Sequence, residues 1–395
     1  MTDKLPLLDP QLVFGLEAQR SGRRGTVTMM FRTPPSRLSA ADVSQVLQSV
    51  VNHNPALSYR IRFSRGTGYQ ERFPAEFGFA ESYAASEDAV STSVIEAIEE
   101  FETTLDGPAV SAFLIRSIGS DHLLLVFDHA LVDEQSLRII RRQLDAPSSP
   151  DDTRLARYQA AVHDRKAFED AAGKGPGIPF WADRLTAIGR VPEAKGGSTR
   201  FTPVVSLPSM AIPRSFGGSL FPYVLFSVHG ALRDLGEPGP TAISYPWGNR
   251  NTAYSDVVGC FMNTCISFDP ARSPQTPDAA DDFVSNWYEE LDHADVPFTA
   301  ITTLGSAFSG SITAQLSFTR AGARSVTVAG VPAVEVMVSH IRISYTSTLL
   351  VAATVCDDEL RLRLILDEES VGYGAQEFGS RWCHWLDRAI SSSLR

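Results

Sequence analysis

The stretch LLLVFDHALVDEQSLRII, Leu123–Ile140, sets five apolar residues directly before Asp128 and His129. A second acid pair, Asp133 and Glu134, follows four residues after the histidine. The apolar run reads as a core strand, and Leu137, Ile140 and Leu144 then recur at helical spacing, with Arg138, Arg141 and Arg142 on other faces. The segment therefore predicts a buried strand, a short titratable loop and an amphipathic helix. Two explanations of the loop are open: a catalytic base on a rigid support, or a buried polar network that does no chemistry. A histidine just beyond a buried strand is held stiffly, a setting in which neutral imidazole acts as a base near neutral pH. Asp133 can turn back beneath the loop, either to orient the ring or to tie the loop to an arginine elsewhere.

The neighbouring sequence frames this segment. AVSAFLIRSI (Ala109–Ile118) and HLLLVF predict a strand pair around the turn GSD. LSAADVSQVLQSVVNHNPAL predicts a helix, with Ser39 as N-cap and Val43, Val46, Leu47, Val50 and Val51 on its apolar face. LSYRIRF then alternates as a strand. DAPSSPDD reads as a loop and RYQAAVHDRKAFEDAA as a helix, broken by GKGPG and resumed by PFWADRLTAI. RVPEAKGGSTR (Arg190–Arg200) predicts a linker, and so a division into lobes 1–188 and 189–395. The second lobe opens with the apolar helix LFPYVLFSVHGALRDLG, with Pro222 near its first turn, followed by the strand AISYP and the segment VVGCFMNTCISFD. The last hundred residues are expected to alternate helices with strands such as VEVMVSH, LLVAATV and LRLRLIL. Interleaved helices and strands give an α/β or α+β class with mixed sheets.

Composition bounds the function. The 395 residues suit two lobes of roughly 150 to 250 residues better than one core. A hydrophobic fraction of 43% with 21% charged residues is that of an ordinary globular chain. The net charge of −11 argues against a nucleic-acid partner, and no apolar run reaches the roughly 18 residues of a membrane span. The N-terminus lacks a signal-peptide core, so a cytoplasmic location is expected. Cys260, Cys265, Cys356 and Cys383 form no C-x-x-C pair and read as thiols, and nothing resembles a zinc site. The chain also lacks a G-x-S-x-G elbow, a Walker loop, an H-E-x-x-H pair and a dinucleotide-binding glycine motif.

From end to end the chain resembles the condensation domains of nonribosomal peptide synthetases, in the superfamily of chloramphenicol acetyltransferase and the BAHD acyltransferases. NHNPALSYRIRF is similar to the family's rHxxLRtxf segment and LDGPAVSAFLIR to its gPllra strand. LLLVFDHALVDEQS is similar to lllxxHHxxxDGxS. SLFPYVLFSVHGALRDLG, TAISYPWGNR and VVGCFMNTCISF correspond in order to the later Gr…vGxfxNtxplr block, and DHADVPF fits xhxxxPf. The resemblance implies an α/β fold of the α+β sandwich type, with two chloramphenicol-acetyltransferase-like lobes in a V-shaped pseudo-dimer and a tunnel at their interface. It also implies acyl transfer from a thioester to a small-molecule amine or alcohol, without a covalent enzyme intermediate. The donor would ride on the phosphopantetheine arm of an acyl or peptidyl carrier protein acting in trans, or on coenzyme A, with no permanently bound cofactor and no metal. His129 matches the motif's second histidine and would take or orient the acceptor's proton. Asp133 would be structural, paired with Arg250 of WGNR, and loss of either partner of such a buried pair costs about 3–5 kcal/mol. Asn263 and Thr264 match the family's NT and either line the tunnel or cap a polar turn. Ser136 is either a site residue or a helix N-cap.

Two motif positions differ from the pattern: Asp128 stands at the first histidine and Glu134 at the glycine. An acid beside His129 raises the basicity of the ring only if it faces the ring, and adjacent strand residues point to opposite faces. The glycine position leaves room beside the histidine and permits backbone conformations closed to other residues. A glutamate there either narrows the acceptor side or contacts an amine acceptor. Oxygenase-recruiting condensation-like domains of glycopeptide synthetases, which are catalytically silent, also carry an acid at this position. Three readings follow: a free-standing acyltransferase of natural-product biosynthesis, a recruitment platform, and a cyclisation or rearrangement enzyme that uses Asp128 and Glu134 as acid–base groups.

Overall fold

The computed structural model describes residues 4–145, 151–193, 200–237, 239–248, 250–269, 279–320, 325–343 and 347–392. The chain forms two units: Met1–Asp170 with Gly248–Met262 and Ala323–Ser339, and Ala171–Trp247 with Asn263–Gly322 and His340–Arg395.

In the first unit the strands are β1 (Lys4–Pro6), β2 (Thr26–Thr33), β3 (Tyr59–Ser64), β4 (Thr67–Arg72), β5 (Gly78–Ala84), β6 (Val110–Ser117) and β7 (Asp121–Asp128). Its helices are α1 (Asp9–Ser21), α2 (Ala40–His53), α3 (Glu87–Thr103), α4 (Glu134–Gln143) and α5 (Arg154–Ala172). Every residue of β7 is buried, as an unbroken apolar run requires of an interior strand. It lies between β2 and β6, antiparallel to both, in a six-stranded sheet whose far edge is β5, parallel to β6. The helix predicted from LSAADVSQ is α2: the Ser39 side chain accepts the Asp42 N–H, and Val43, Val46, Leu47, Val50 and Val51 are all buried. Leu137, Ile140 and Leu144 pack into the same core as Leu123, Leu125 and Phe127.

The sheet's other edge is a hairpin of strands Ser325–Val328 and Val331–Val336, the second paired with β2 through Val334↔Arg32 to Val336↔Met30. This pairing brings a late segment back into the first unit and satisfies the backbone groups along β2. The units are therefore discontinuous, unlike a single division at 188/189, and the first change of unit falls at 170/171. Six of the eleven residues of the expected linker Arg190–Arg200, 194–199, lie outside the described residues, as do 146–150 of the loop DAPSSPDD.

The second unit is built on a sheet ordered Met210–Ala211, Glu359–Leu366, Leu349–Cys356, Ala314–Arg320, Thr241–Trp247 and Asn263–Asp269. The helices Gly177–Ile188 (α6) and Leu220–Asp234 (α7) match the expected ones. Gly230 of α7 lies against Trp385 of the helix Ala375–Ser392, where a Cβ would stand 2.4 Å from the indole. The last hundred residues differ from the expected alternation. Between Ala314 and Leu366 the described residues form six strands and no helix, because local strand propensity does not disclose which neighbour a strand will pair with. Among the described residues, no helix is long and apolar enough to cross a membrane.

Candidate active site

The loop after β7 carries the site. The Asp128 carbonyl accepts the N–H groups of Leu131 and Val132, closing a tight turn that leads to Asp133 and α4. The His129 N–H donates to the Gly25 carbonyl at 2.9 Å, which extends the β2–β7 pairing by one residue. The ring is half-buried and stacks on Phe14 of α1, with centroids 4.4 Å apart and planes at 26°. His129 Nδ1 lies 3.1 Å from the Val132 carbonyl oxygen. A carbonyl oxygen only accepts, so Nδ1 carries the proton and Nε2 of the neutral ring offers its lone pair. Nε2 has no hydrogen-bond partner among the described residues. Taken together, these contacts engage Nδ1 and one ring face and leave the Nε2 edge unengaged among the described residues.

Asp128, one residue before, serves the scaffold. Its Oδ1 accepts the Ala130 N–H at 3.0 Å, and its Oδ2 stands 3.7 Å from Nη1 of the buried Arg24. Burial pushes the Asp128 carboxyl above its usual range against the pull of Arg24, and burial likewise lowers the Arg24 guanidinium. Arg24 also donates to the carbonyls of Phe101 and Pro108, both at 2.9 Å, and lies over the Phe101 ring. In sequence Arg24 is hard to tell from a solvated basic residue, because SGRRG has the composition of an exposed turn. Its only sequence signal is a second arginine between two glycines, beside the start of a strand.

Asp133 has its acceptors filled. Oδ1 accepts the Ser136 N–H at 2.8 Å, which makes Asp133 the N-cap of α4, and also Nη2 of Arg250 at 2.5 Å. Oδ2 accepts the Phe261 N–H at 3.0 Å. The predicted Asp133–Arg250 pair is therefore present, and both side chains are at most 5% exposed. Arg250 also bonds to the Val257 carbonyl, to the Gly259 carbonyl at 3.0 Å and to Ser136 Oγ at 2.7 Å. Ser136 is neither the helix cap nor exposed: its hydroxyl donates to the Gly259 carbonyl and accepts the Gly259 N–H. Together these residues clamp the start of α4 to the segment 257–261.

Glu134 is the first residue of α4 and is exposed. Its backbone lies outside the left-handed region, which among the described non-glycine residues holds Ser36, Arg65, Ala329 and Asp357. The expected glycine-only conformation is thus absent, and what changes is the side chain. Its carboxyl stands among charges of both signs, Arg138 and Arg141 against Glu335 and Asp133. Asn263 and Thr264 belong to the second unit. Asn263 is buried and donates to the carbonyls of Ala294 (2.6 Å) and Val296 (3.0 Å), while its Oδ1 accepts the Thr264 N–H. It thereby fastens the DHADVPF segment to the strand Asn263–Asp269. The four cysteines are thiols, and burial pushes the Cys260 thiol well up, away from nucleophilic use. Among the described residues, no cluster of three or more His, Cys, Asp or Glu could hold a metal ion.

Comparison with known proteins places the fold. The starter condensation domain of rhizomide synthetase, solved with C8-CoA and Leu-SNAC, is 11% identical, with a TM-score of 0.76 over 99% of this chain and 95% of that one. The X-domain from teicoplanin biosynthesis is 16% identical, also with a TM-score of 0.76 over 99% and 95% of the two chains. In sequence, nonribosomal peptide synthetase 5 of Gibberella zeae is 28% identical over 178 residues, 43% of this chain and 2% of that protein. The chain thus covers only a small part of the curated relative it matches. No protein-family model matches the chain. The chain has the α/β fold of the condensation domains of nonribosomal peptide synthetases.

Proposed function

We propose that the protein is a condensation-type acyltransferase of natural-product biosynthesis that forms an amide or ester from an acyl thioester. The observation that carries this reading is the Nε2 edge of the half-buried His129 ring, which has no hydrogen-bond partner among the described residues while Val132 and Phe14 hold the rest of the ring at the end of a buried strand. The amine or hydroxyl of the acceptor attacks the thioester carbonyl carbon while Nε2 takes the acceptor's proton. The tetrahedral oxyanion then collapses, the C–S bond breaks, and the thiolate leaves with a proton returned from the imidazolium. Placement of the two substrates supplies much of the rate, as in other reactions without an enzyme-bound intermediate. Asp128 and Asp133 hold the loop, since their carboxylates are taken up by Arg24 and Ala130, and by Arg250, Ser136 and Phe261. The donor is a phosphopantetheine thioester on an acyl or peptidyl carrier protein, or an acyl-CoA of the kind suggested by the C8-CoA in the starter domain.

Glu134 favours a second reading, a recruitment platform that binds a carrier protein and passes no acyl group. It stands where the family has glycine, and the teicoplanin X-domain matches the fold as well as the starter domain does. Incubation with acyl-loaded carrier protein or acyl-CoA and a panel of amines and alcohols separates the two readings. Condensed product detected by mass spectrometry, undiminished in Glu134→Gly, supports acyl transfer. Tight carrier binding with no product from any acceptor, for both wild type and Glu134→Gly, establishes the platform instead.

A further inference from the structure

We infer that Phe14 is the positioning residue for His129. The inference deepens the acyl-transfer reading and rests on it. An imidazole beyond a strand end can rotate about two side-chain bonds, and proton transfer requires its lone pair to point at the acceptor. The Nδ1 contact to the Val132 carbonyl fixes one edge of the ring, and the Phe14 face fixes its plane. Only the Nε2 edge is then left to reach a substrate.

Among the ring pairs of the described residues, Phe14 is paired with His129. It is half-buried and stands apart from the apolar cluster that forms the core of its unit. The helix α1 that carries it buries Asp9, Pro10, Gln11 and Gly15. Two glycines bring this helix to the site. At Gly15 a Cβ would stand 2.9 Å from Ile61 Cγ2 and from the Phe63 ring, so its absence lets α1 lie close on β3. At Gly25 a Cβ would stand 3.3 Å from Phe14 Cδ1 and 3.7 Å from His129 Cβ. Gly25 also accepts the His129 N–H, so one residue both anchors the histidine backbone and leaves room for the stacking ring. An offset-stacked aromatic pair is favourable beyond its buried area, which gives the histidine a preferred plane before any substrate arrives.

The test compares wild type, Phe14→Leu, Phe14→Tyr and His129→Ala by steady-state acyl transfer and by NMR of the His129 ring protons. The ring current of a stacked phenyl shifts those protons upfield, and this signal reads the geometry without any turnover. Phe14→Leu is expected to lower kcat roughly tenfold at nearly unchanged KM, the effect of a misaligned base. It should also move the His129 resonances downfield, and Phe14→Tyr should restore both. Unmoved resonances in Phe14→Leu overturn the inference, as does an unchanged kcat in that variant while His129→Ala is inactive. If His129→Ala transfers acyl groups like wild type, the functional reading fails separately, and the NOEs from the His129 ring to Val132 still decide the positioning: their loss in Phe14→Leu supports it and their persistence overturns it.

Discussion

Two histidines show how the surroundings of a side chain assign its work. His229 of α7 is fully buried, with Nδ1 2.7 Å from Thr241 Oγ1 and Nε2 3.3 Å from Ser267 Oγ. Burial, with Arg233 and Arg184 adding to it, pushes its pKa well below the usual value, so the folded ring stays neutral. His129 keeps one ring nitrogen without a partner among the described residues and stands half-buried at a strand end. On the apolar helix α7, His229 is thus a packed core histidine. Its pH signature follows directly. Below about pH 6.5 the unfolded chain binds a proton that the folded chain refuses, so stability falls as pH drops through that value. Denaturant unfolding from pH 7 to pH 5 should show wild type losing stability relative to His229→Gln, with a limiting slope of about 1.4 kcal/mol per pH unit. Parallel profiles would remove His229 from the acid response.

Among elements, the clamp between α4 and the segment 257–261 decides whether the loop keeps its shape. Asp133→Ala removes the N-cap of α4 and leaves Arg250 buried without its carboxylate. The expected cost is about 3–5 kcal/mol, read as a lower urea midpoint, with Asp133→Asn losing less because its amide oxygen still caps Ser136. A change below about 1 kcal/mol in Asp133→Ala would place the clamp among the weak surface pairs. The pairing of Asp133 with Arg250 was legible only through the family resemblance, since 117 residues separate them. Helix α4 and the strand before it were legible from periodicity alone, because their apolar residues face one core. The hairpin Ser325–Val336 was not, because its role depends on an edge of β2 that no local pattern reveals. Arg24, Phe14 and Gly25 escaped for a similar reason: each acts through a partner far along the chain, and none alters the local alternation of polar and apolar residues.

For the whole molecule, low identity and close structural match together say what has been kept. At 11–16% identity the backbone still follows condensation domains over 99% of the chain. Asp128 and Glu134, the two positions at which the chain differs from the motif it resembles, both fit their local structure, and His129 directly follows the last residue of β7. Arg24 and Ala130 take up Asp128, and Glu134 begins a regular helix. A fold of this kind hosts more than one activity, so acyl transfer would depend on the histidine and not on the architecture. The measurement closest to that claim is single-turnover transfer from an acyl thioester to an amine, comparing wild type with His129→Ala. The account predicts that transfer falls by about 10²-fold or more in His129→Ala, the scale of a lost general base, while thioester binding is retained. Equal transfer rates in the two proteins would contradict it.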